Sequence, residues 1–145
     1  MGHLFLDHCE TSGIPHIDMP RFRKDWYFTD PCTNIEKDPL YYGKDIIEKI
    51  LSNRIEHEIG CHSFSHVIFS ECSKEIADAE IKMCIKLAKE FGVTLKSFTF
   101  PQNEIGHIDI LKKNGIKIYR GKNLSQCQKG QNGFSRIING GIDRI

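Results

Sequence analysis

Helix and strand patterns alternate through the middle of this chain, and this alternation limits the possible folds more than any other feature. Apolar residues at helical spacing indicate helices, and short β-rich or alternating runs indicate strands. In chain order the patterns predict helix 44–51, strand 54–59, helix 73–91, strand 93–100, a short helix around 108–111 and strand 116–119. Such an order is typical of parallel strands joined by right-handed crossover helices. The predicted fold class is therefore α/β.

The helix predicted over 73–91 carries the clearest start and stop signals. Ser73 is a favourable N-cap residue and Gly92 is a typical helix end. Its apolar stripe has the four-three spacing of a helix that packs on a core, through Ala77, Ile81, Cys84, Ala88 and Phe91. In the helix predicted over 44–51, one face is expected to carry Ile46, Ile47, Ile50 and Leu51.

The segment 7–40 has no clear helix or strand pattern and is interrupted by prolines. Structureless segments of this length are uncommon inside compact domains and often act as lids or binding loops. We therefore expect this segment to cover a site or to hold a substrate. The residues after Arg120 are polar and glycine-rich, and their pattern predicts no element.

The size and charge of the chain exclude several classes of protein. Its 145 residues suffice for one domain, and the formal net charge is only +1. No basic block is longer than the dipeptide Lys112-Lys113, so nucleic-acid binding has no electrostatic support. No apolar run approaches the roughly 20 residues that span a bilayer. The N-terminus lacks the pattern of a signal peptide, so we expect a cytoplasmic protein.

The six cysteines do not form a recognisable framework in the sequence. No two of them make a Cys-x-x-Cys pair, and their spacings suit neither a zinc knuckle nor a set of disulfides. Reduced thiols in a reducing compartment are therefore expected.

Residues 57–66 read His-Glu-Ile-Gly-Cys-His-Ser-Phe-Ser-His and contain most of the chemistry that the sequence offers. Within one helical turn, His62 and His66 would project from the same face. Two imidazoles in that geometry can take adjacent positions around one divalent metal, and a third ligand would complete a hydrolytic site. Cys61 is one candidate for the third ligand. The segment follows a predicted strand, and barrel enzymes place their sites at the carboxyl ends of strands.

A zinc protease of the His-Glu-x-x-His type is excluded by spacing. His57-Glu58 is followed by His62, five residues after the first histidine, which rotates the second ring about 140° beyond a full turn. The pair His62 and His66 has the correct spacing, but Ser63 stands where the catalytic glutamate would have to be.

A second polar cluster follows the next predicted strand, where Phe98-Thr99-Phe100 leads into Pro101-Gln102-Asn103. A loop at this position could offer a backbone N–H to a developing oxyanion. The predicted rim of the site consists of Pro101, Gln102, Asn103 and His107. Alternatively, these residues are an ordinary strand end, in which the proline stops the strand and has no functional role.

Together the two clusters make the chain similar to the polysaccharide deacetylase family, the NodB-homology domain of the carbohydrate esterases. The family's motif His-Ser/Thr-x-x-His matches residues 62–66, with His57-Glu58-Ile59-Gly60 as a typical lead-in. The family's next motif corresponds in position to residues 98–103. The resemblance covers residues 1–121 best, while residues 122–145 are not clearly matched.

The resemblance implies a distorted, seven-stranded (β/α) barrel that binds one divalent metal, usually zinc. Family members remove acetyl groups from N-acetylated sugars or act on related amides. By this resemblance His62 and His66 are metal ligands, and the backbone near Gln102 holds the oxyanion. The metal would polarise the amide carbonyl and lower the pKa of the attacking water. The residues expected to orient the ligands are His57, Glu58, Ser63 and Ser65.

The chain departs from the family pattern in three places. No counterpart is found for the first motif, which supplies a base aspartate and a ligand aspartate, or for the late motif with the acid histidine. In the motif at residues 98–103, Thr99 and Gln102 replace an arginine and a tyrosine. We therefore expect residues 1–145 to be an incomplete domain, a partial barrel that is inactive alone. Asp7 or Asp18 could replace the aspartate only fortuitously. The alternative function is a non-catalytic carbohydrate-binding or interaction module with the same fold.

Overall fold

The computed structural model describes residues 6–9 and 31–121, together with the backbone of residues 143–144. Most of the predicted lid segment, residues 10–30, and the segment 122–142 lie outside the described residues. The elements are α1 (Lys44–Leu51), α2 (Lys74–Glu90), β1 (Ser97–Thr99), α3 (Ile108–Lys113), β2 (Ile118–Arg120) and β3 (Asp143–Arg144), with a 3-10 turn over Pro101–Asn103.

The strands form one small mixed sheet in the order β1-β2-β3. β1 and β2 are parallel and are connected through α3, whereas β2 and β3 are antiparallel. On the other edge of β1, Cys61 makes a single parallel bridge to Phe98. The Cys61 N–H donates to the Ser97 carbonyl, and the Thr99 N–H donates to the Cys61 carbonyl, both at 2.8 Å. The parallel pairing that the alternation predicted is confirmed for β1 and β2.

The strand predicted over 54–59 is wrong. These residues form no strand, and Ile55 is 63% exposed. The Asn53 side chain accepts a hydrogen bond from the Ile55 N–H at 3.0 Å, which turns the chain as it leaves α1. Among the described residues, β1 begins only at Ser97 and bridges Cys61 through Phe98, so β1 offers no pairing partner to the residues before Cys61.

The endings of α2 and α3 shorten the strands that follow them. Each helix ends in a Schellman motif around a glycine with positive φ, 69° in one case and 83° in the other. The Val93 N–H donates back to the Ala88 carbonyl at 2.9 Å, and the Ile116 N–H donates back to the Leu111 carbonyl at 3.1 Å. These residues therefore belong to the helix ends, and β1 and β2 start later than the sequence predicted.

The helices agree with the sequence in position and partly in their buried faces. Ser73 caps α2, since its hydroxyl accepts a hydrogen bond from the Ile76 N–H at 3.3 Å. The predicted stripe of α2 is buried from Ala77 to Ala88. The predicted face of α1 is only partly correct, because Ile47 is buried while Ile46 and Leu51 are 54% and 42% exposed.

Aromatic rings join the sheet to the segment that follows the histidines. The Phe98 ring centroid lies 4.9 Å from that of Phe69 and 5.0 Å from that of Phe100, in tilted and edge-to-face arrangements. All three rings are buried. They hold the exit of β1 against the chain after His66, which positions the two predicted functional loops side by side. Within the described residues, no helix is both long and apolar enough to cross a bilayer.

Candidate metal-binding site

The two predicted ligand histidines lie together, but not on a helix. Residues 62–66 form an irregular loop directly after the Cys61 bridge, so the expectation of a single helical turn is wrong. Ser63 and His66 have positive φ values of 57° and 61°, which bend the backbone back on itself. The ring centroids of His62 and His66 are 4.8 Å apart, with an interplanar angle of 69°. The loop thus brings together the two rings that the sequence singled out.

A backbone carbonyl at the end of β1 fixes the orientation of the His62 ring. His62 Nδ1 lies 2.7 Å from the Thr99 carbonyl oxygen. A carbonyl oxygen only accepts hydrogen bonds, so Nδ1 must carry the proton. In the neutral ring this leaves Nε2 with a free lone pair, the arrangement that metal-bound histidines commonly show.

The environment of His62 favours the neutral ring. Burial lowers the pKa of His62 below its ordinary value, although the hydrogen bond to Thr99 opposes part of that shift. A metal binds only the unprotonated nitrogen, and a neutral ring binds without first losing a proton. At neutral pH the His62 ring is therefore in the neutral form that a metal ligand requires.

A buried carboxylate on α2 holds the loop in this shape. Glu80 is fully buried, and its Oε2 accepts hydrogen bonds from the Phe64 and Ser65 N–H groups at 2.8 Å each. Its Oε1 accepts a further hydrogen bond from the Ser65 hydroxyl. Hydrogen bonds to a charged acceptor are stronger than neutral ones. Glu80 thus ties the backbone between the two histidines to the core helix.

Glu80 was missed in the sequence, although the sequence contains a signal for it. It is flanked by Ala77, Ile81 and Cys84 on the apolar stripe of α2, so the helical spacing places it on the buried face. A carboxylate on a buried face needs hydrogen-bond donors to offset its desolvation. A charged residue within an apolar stripe therefore indicates an internal hydrogen-bond network.

The two serines of the loop have different surroundings. Ser65 is buried and contacts Glu80 through both its N–H and its hydroxyl. Ser63 is also buried, but its hydroxyl has no hydrogen-bond partner within the described part of the chain. Both lie in the loop that presents the histidines, where the sequence predicted residues that orient the ligands.

The exit of β1 forms a tight turn beside the histidine loop. Pro101 is buried, whereas Gln102 and Asn103 are exposed and have φ values of 55° and 58°. The Asn103 N–H donates to the Phe100 carbonyl at 2.9 Å, and the Glu104 N–H donates to the Pro101 carbonyl at 3.1 Å. Pro101 has no N–H, and the Asn103 and Glu104 N–H groups are already bonded. The Gln102 N–H is therefore the candidate amide of this turn for donation to a ligand.

His107, predicted as a rim residue, makes a hydrogen bond to the backbone just before α2. Its Nε2 lies 2.7 Å from the Cys72 carbonyl oxygen, which requires that nitrogen to be the donor. Cys72 directly precedes the N-cap of α2, and His107 directly precedes α3. The ring therefore joins the starts of two helices.

His57 and Glu58 lie apart from the histidine pair. Both are exposed and line a surface depression of about 460 Å³, which they share with Val93, Thr94 and Lys96. The structure does not place them in the contacts that orient His62, so the prediction that they orient the ligands has no support in the described geometry.

The described residues contain no group of three or more histidine, cysteine or acidic side chains that could hold a metal. Cys61 is buried, and its thiol is hydrogen-bonded to that of Cys84. Asp7 forms an ion pair with Lys44 and a hydrogen bond with His8, at 2.6 Å each, and these hydrogen bonds lower the pKa of Asp7 to about 2. Asp18 lies outside the described residues. The site as described therefore offers two imidazoles.

Replacement of Glu80 tests whether this carboxylate holds the loop. Glu80→Gln keeps one oxygen for the two N–H donors but loses the charge, so we expect the free energy of unfolding to fall by about 2 kcal/mol. Glu80→Ala leaves three buried donors without an acceptor and should cost about 4 kcal/mol. Urea denaturation measures both.

Glu90→Gln is the matched control, because Glu90 is the exposed last residue of the same helix. It should change the free energy of unfolding by no more than about 0.5 kcal/mol. A Glu80→Gln variant as stable as the control would show that the buried carboxylate does not hold the loop.

Comparisons with known proteins do not assign this chain to a family. No protein-family model, no curated protein and no solved structure matches it. The resemblance to polysaccharide deacetylases therefore rests on the sequence motifs alone, and the function must be argued from the histidine loop and the exit of β1.

Proposed function

We propose that this chain carries part of a metal-dependent hydrolase that cleaves carbon–nitrogen bonds other than peptide bonds. The proposed reaction is deacetylation of N-acetylated sugars or of a related polysaccharide. The observation that carries the proposal is the His62 ring, whose Nδ1–H is bound to the Thr99 carbonyl while its partner ring of His66 lies 4.8 Å away. Metal sites in hydrolases commonly use histidines that a backbone carbonyl orients in this way.

The proposed cofactor is one divalent cation, with zinc as the first candidate, held by His62 and His66. Imidazole nitrogen is a preferred zinc ligand, and a catalytic zinc keeps at least one position open for substrate. The bound cation would supply Lewis-acid polarisation of the amide carbonyl. The two rings would supply two of its protein ligands. The remaining protein ligand is proposed to come from outside the described residues.

The chain's own part in catalysis is to hold the imidazoles and to offer a donor at the neighbouring turn. Glu80 fixes the loop backbone, and Thr99 fixes the tautomer of His62. The Gln102 N–H is the proposed donor to the oxyanion that develops on the acetyl carbonyl. Because Gln102 and Asn103 are exposed, a sugar can approach this turn from solvent.

The second candidate function is a carbohydrate-binding module without catalysis. Thr99 and Gln102 favour it, since they occupy positions where the polysaccharide deacetylase motif has an arginine and a tyrosine. A module of this kind does not need the tautomer of His62 to be fixed, whereas a metal site does. The two functions differ in whether acetate is released, which an assay can measure.

Zinc titration tests the ligand pair. Calorimetry on this chain should show one site, and His62→Ala and His66→Ala should each weaken zinc binding by at least about tenfold, because each removes a ligand. His8→Ala is the control, since the exposed His8 is paired with Asp7 and should leave the affinity unchanged. Unchanged affinity in both loop variants would refute the assignment of the ligands.

The reaction is tested on a protein that includes the regions flanking this chain. Acetate release from N-acetylglucosamine oligomers should be detectable, should stop when a chelator removes the metal, and should return when zinc is added. His62→Ala should reduce the rate by at least about 100-fold. If acetylated sugars bind but no chelator-sensitive acetate release occurs, the binding module is the correct function.

A further inference from the structure

Two segments that are distant in the sequence meet beside the start of α1. Residues 6–9 and 31–35 form an antiparallel bridge between His8 and Asn34. The Cys9 N–H donates to the Thr33 carbonyl at 3.0 Å, and the Ile35 N–H donates to the Asp7 carbonyl at 2.7 Å. These bonds place Cys9 beside Cys32, although 23 positions separate them in the chain.

The two thiols are close enough for an oxidant to join them as a disulfide. Cys9 Sγ and Cys32 Sγ are 2.6 Å apart, whereas a disulfide bond is about 2.05 Å long. A regular strand would point the side chain of Cys32 away from Cys9, because neighbouring residues face opposite sides. Cys32 instead has a φ of 48°, in the left-handed region that non-glycine residues seldom adopt. This backbone conformation accompanies the contact between the two sulfurs.

The other described cysteines are shielded from oxidants. Cys61, Cys72 and Cys84 are buried, while Cys32 is exposed and Cys9 is partly exposed. Burial raises the pKa of the Cys72 thiol to about 11. The hydrogen bond between the Cys84 and Cys61 thiols, together with burial, raises the pKa of Cys84 well above its ordinary value. Thiolate is the reactive form, so the buried thiols of Cys72 and Cys84 are inert at neutral pH.

We propose that Cys9 and Cys32 are a dithiol site that forms an intramolecular disulfide on reaction with a low-molecular-weight disulfide. The thiolate of one cysteine attacks the small disulfide, forms a mixed disulfide with one half and releases the other half as a thiol. The second cysteine then attacks the protein sulfur of the mixed disulfide and releases the second half. Two electrons and two protons pass from the cysteines to the small molecule, which is reduced to two thiols.

The bond would fasten both segments at the start of α1. Asp7 is already ion-paired with Lys44, the first residue of α1, and the Thr33 N–H donates to the Tyr42 hydroxyl at 3.1 Å. A covalent link between Cys9 and Cys32 closes the chain between them into a loop and lowers the entropy of the unfolded state. The oxidised protein should therefore be more stable to heat than the reduced protein.

Mass spectrometry after exposure to oxidised glutathione tests the proposal. The reduced chain is incubated with oxidised glutathione, free thiols are alkylated, and the protein is digested with trypsin without reduction. We expect the peptides 1–21 and 25–37 to appear joined, with the mass of two hydrogen atoms lost and no glutathione retained. The melting temperature should fall by about 5–10 °C when a reductant is added.

Three variants make the result specific. Cys9→Ser and Cys32→Ser should each retain one glutathione on the remaining cysteine and should lose the dependence of the melting temperature on reductant. Cys127→Ser removes a thiol outside the described residues and should behave as the unchanged chain does. The proposal is overturned if the two peptides stay separate, if both cysteines retain glutathione, or if the cross-link joins another pair.

Discussion

The buried carboxylate of Glu80 is the interaction on which the described site depends. A carboxylate that loses all contact with water costs several kcal/mol unless donors replace the water. The donors here are the N–H groups of Phe64 and Ser65 and the Ser65 hydroxyl, all within the segment between the two histidines. Because the donors satisfy the charge and the charge orders the donors, the loop can keep two residues in the left-handed region. The conformation of this backbone sets the positions of the two histidine rings.

The second constraint comes from the sheet. Cys61 pairs with β1 on both sides of Phe98, so His62 leaves the sheet at the same level as the end of β1. The Thr99 carbonyl is therefore within reach of His62 Nδ1, and the turn at Gln102 follows immediately. Loops that follow the carboxyl ends of neighbouring parallel strands commonly form binding sites. One parallel bridge is enough to bring the two motifs together.

Much of this arrangement follows from local sequence rules. The ends of α2 and α3 could be predicted because Ser73, Gly92 and Asn114-Gly115 act within one turn of the chain. The lengths of the strands could not be predicted, since strand pairing depends on partners elsewhere in the chain. In addition, the Val93 and Ile116 N–H groups bond to the preceding helices and not to a strand. The motif at residues 62–66 was sufficient to select His62 and His66 as the candidate ligands.

The shape of the site was less predictable than its residues. A four-residue spacing suggested a helical turn, but the hydrogen bonds to Glu80 stabilise an irregular loop in its place. The contact of His107 with the Cys72 carbonyl joins residues 35 positions apart, and no local pattern indicates it. The same holds for Cys9 and Cys32, which only the antiparallel bridge brings together. The closure of a barrel around these elements stays a prediction.

The most direct measurement is a nitrogen-15 NMR titration of the histidine rings in the metal-free chain and after zinc addition. The account predicts that His62 carries its proton on Nδ1 at neutral pH and titrates below an ordinary histidine, since burial lowers its pKa. Zinc should then shift the Nε2 signal of His62 together with a ring nitrogen of His66. A His62 ring with its proton on Nε2, or zinc shifts confined to other histidines, would contradict the account.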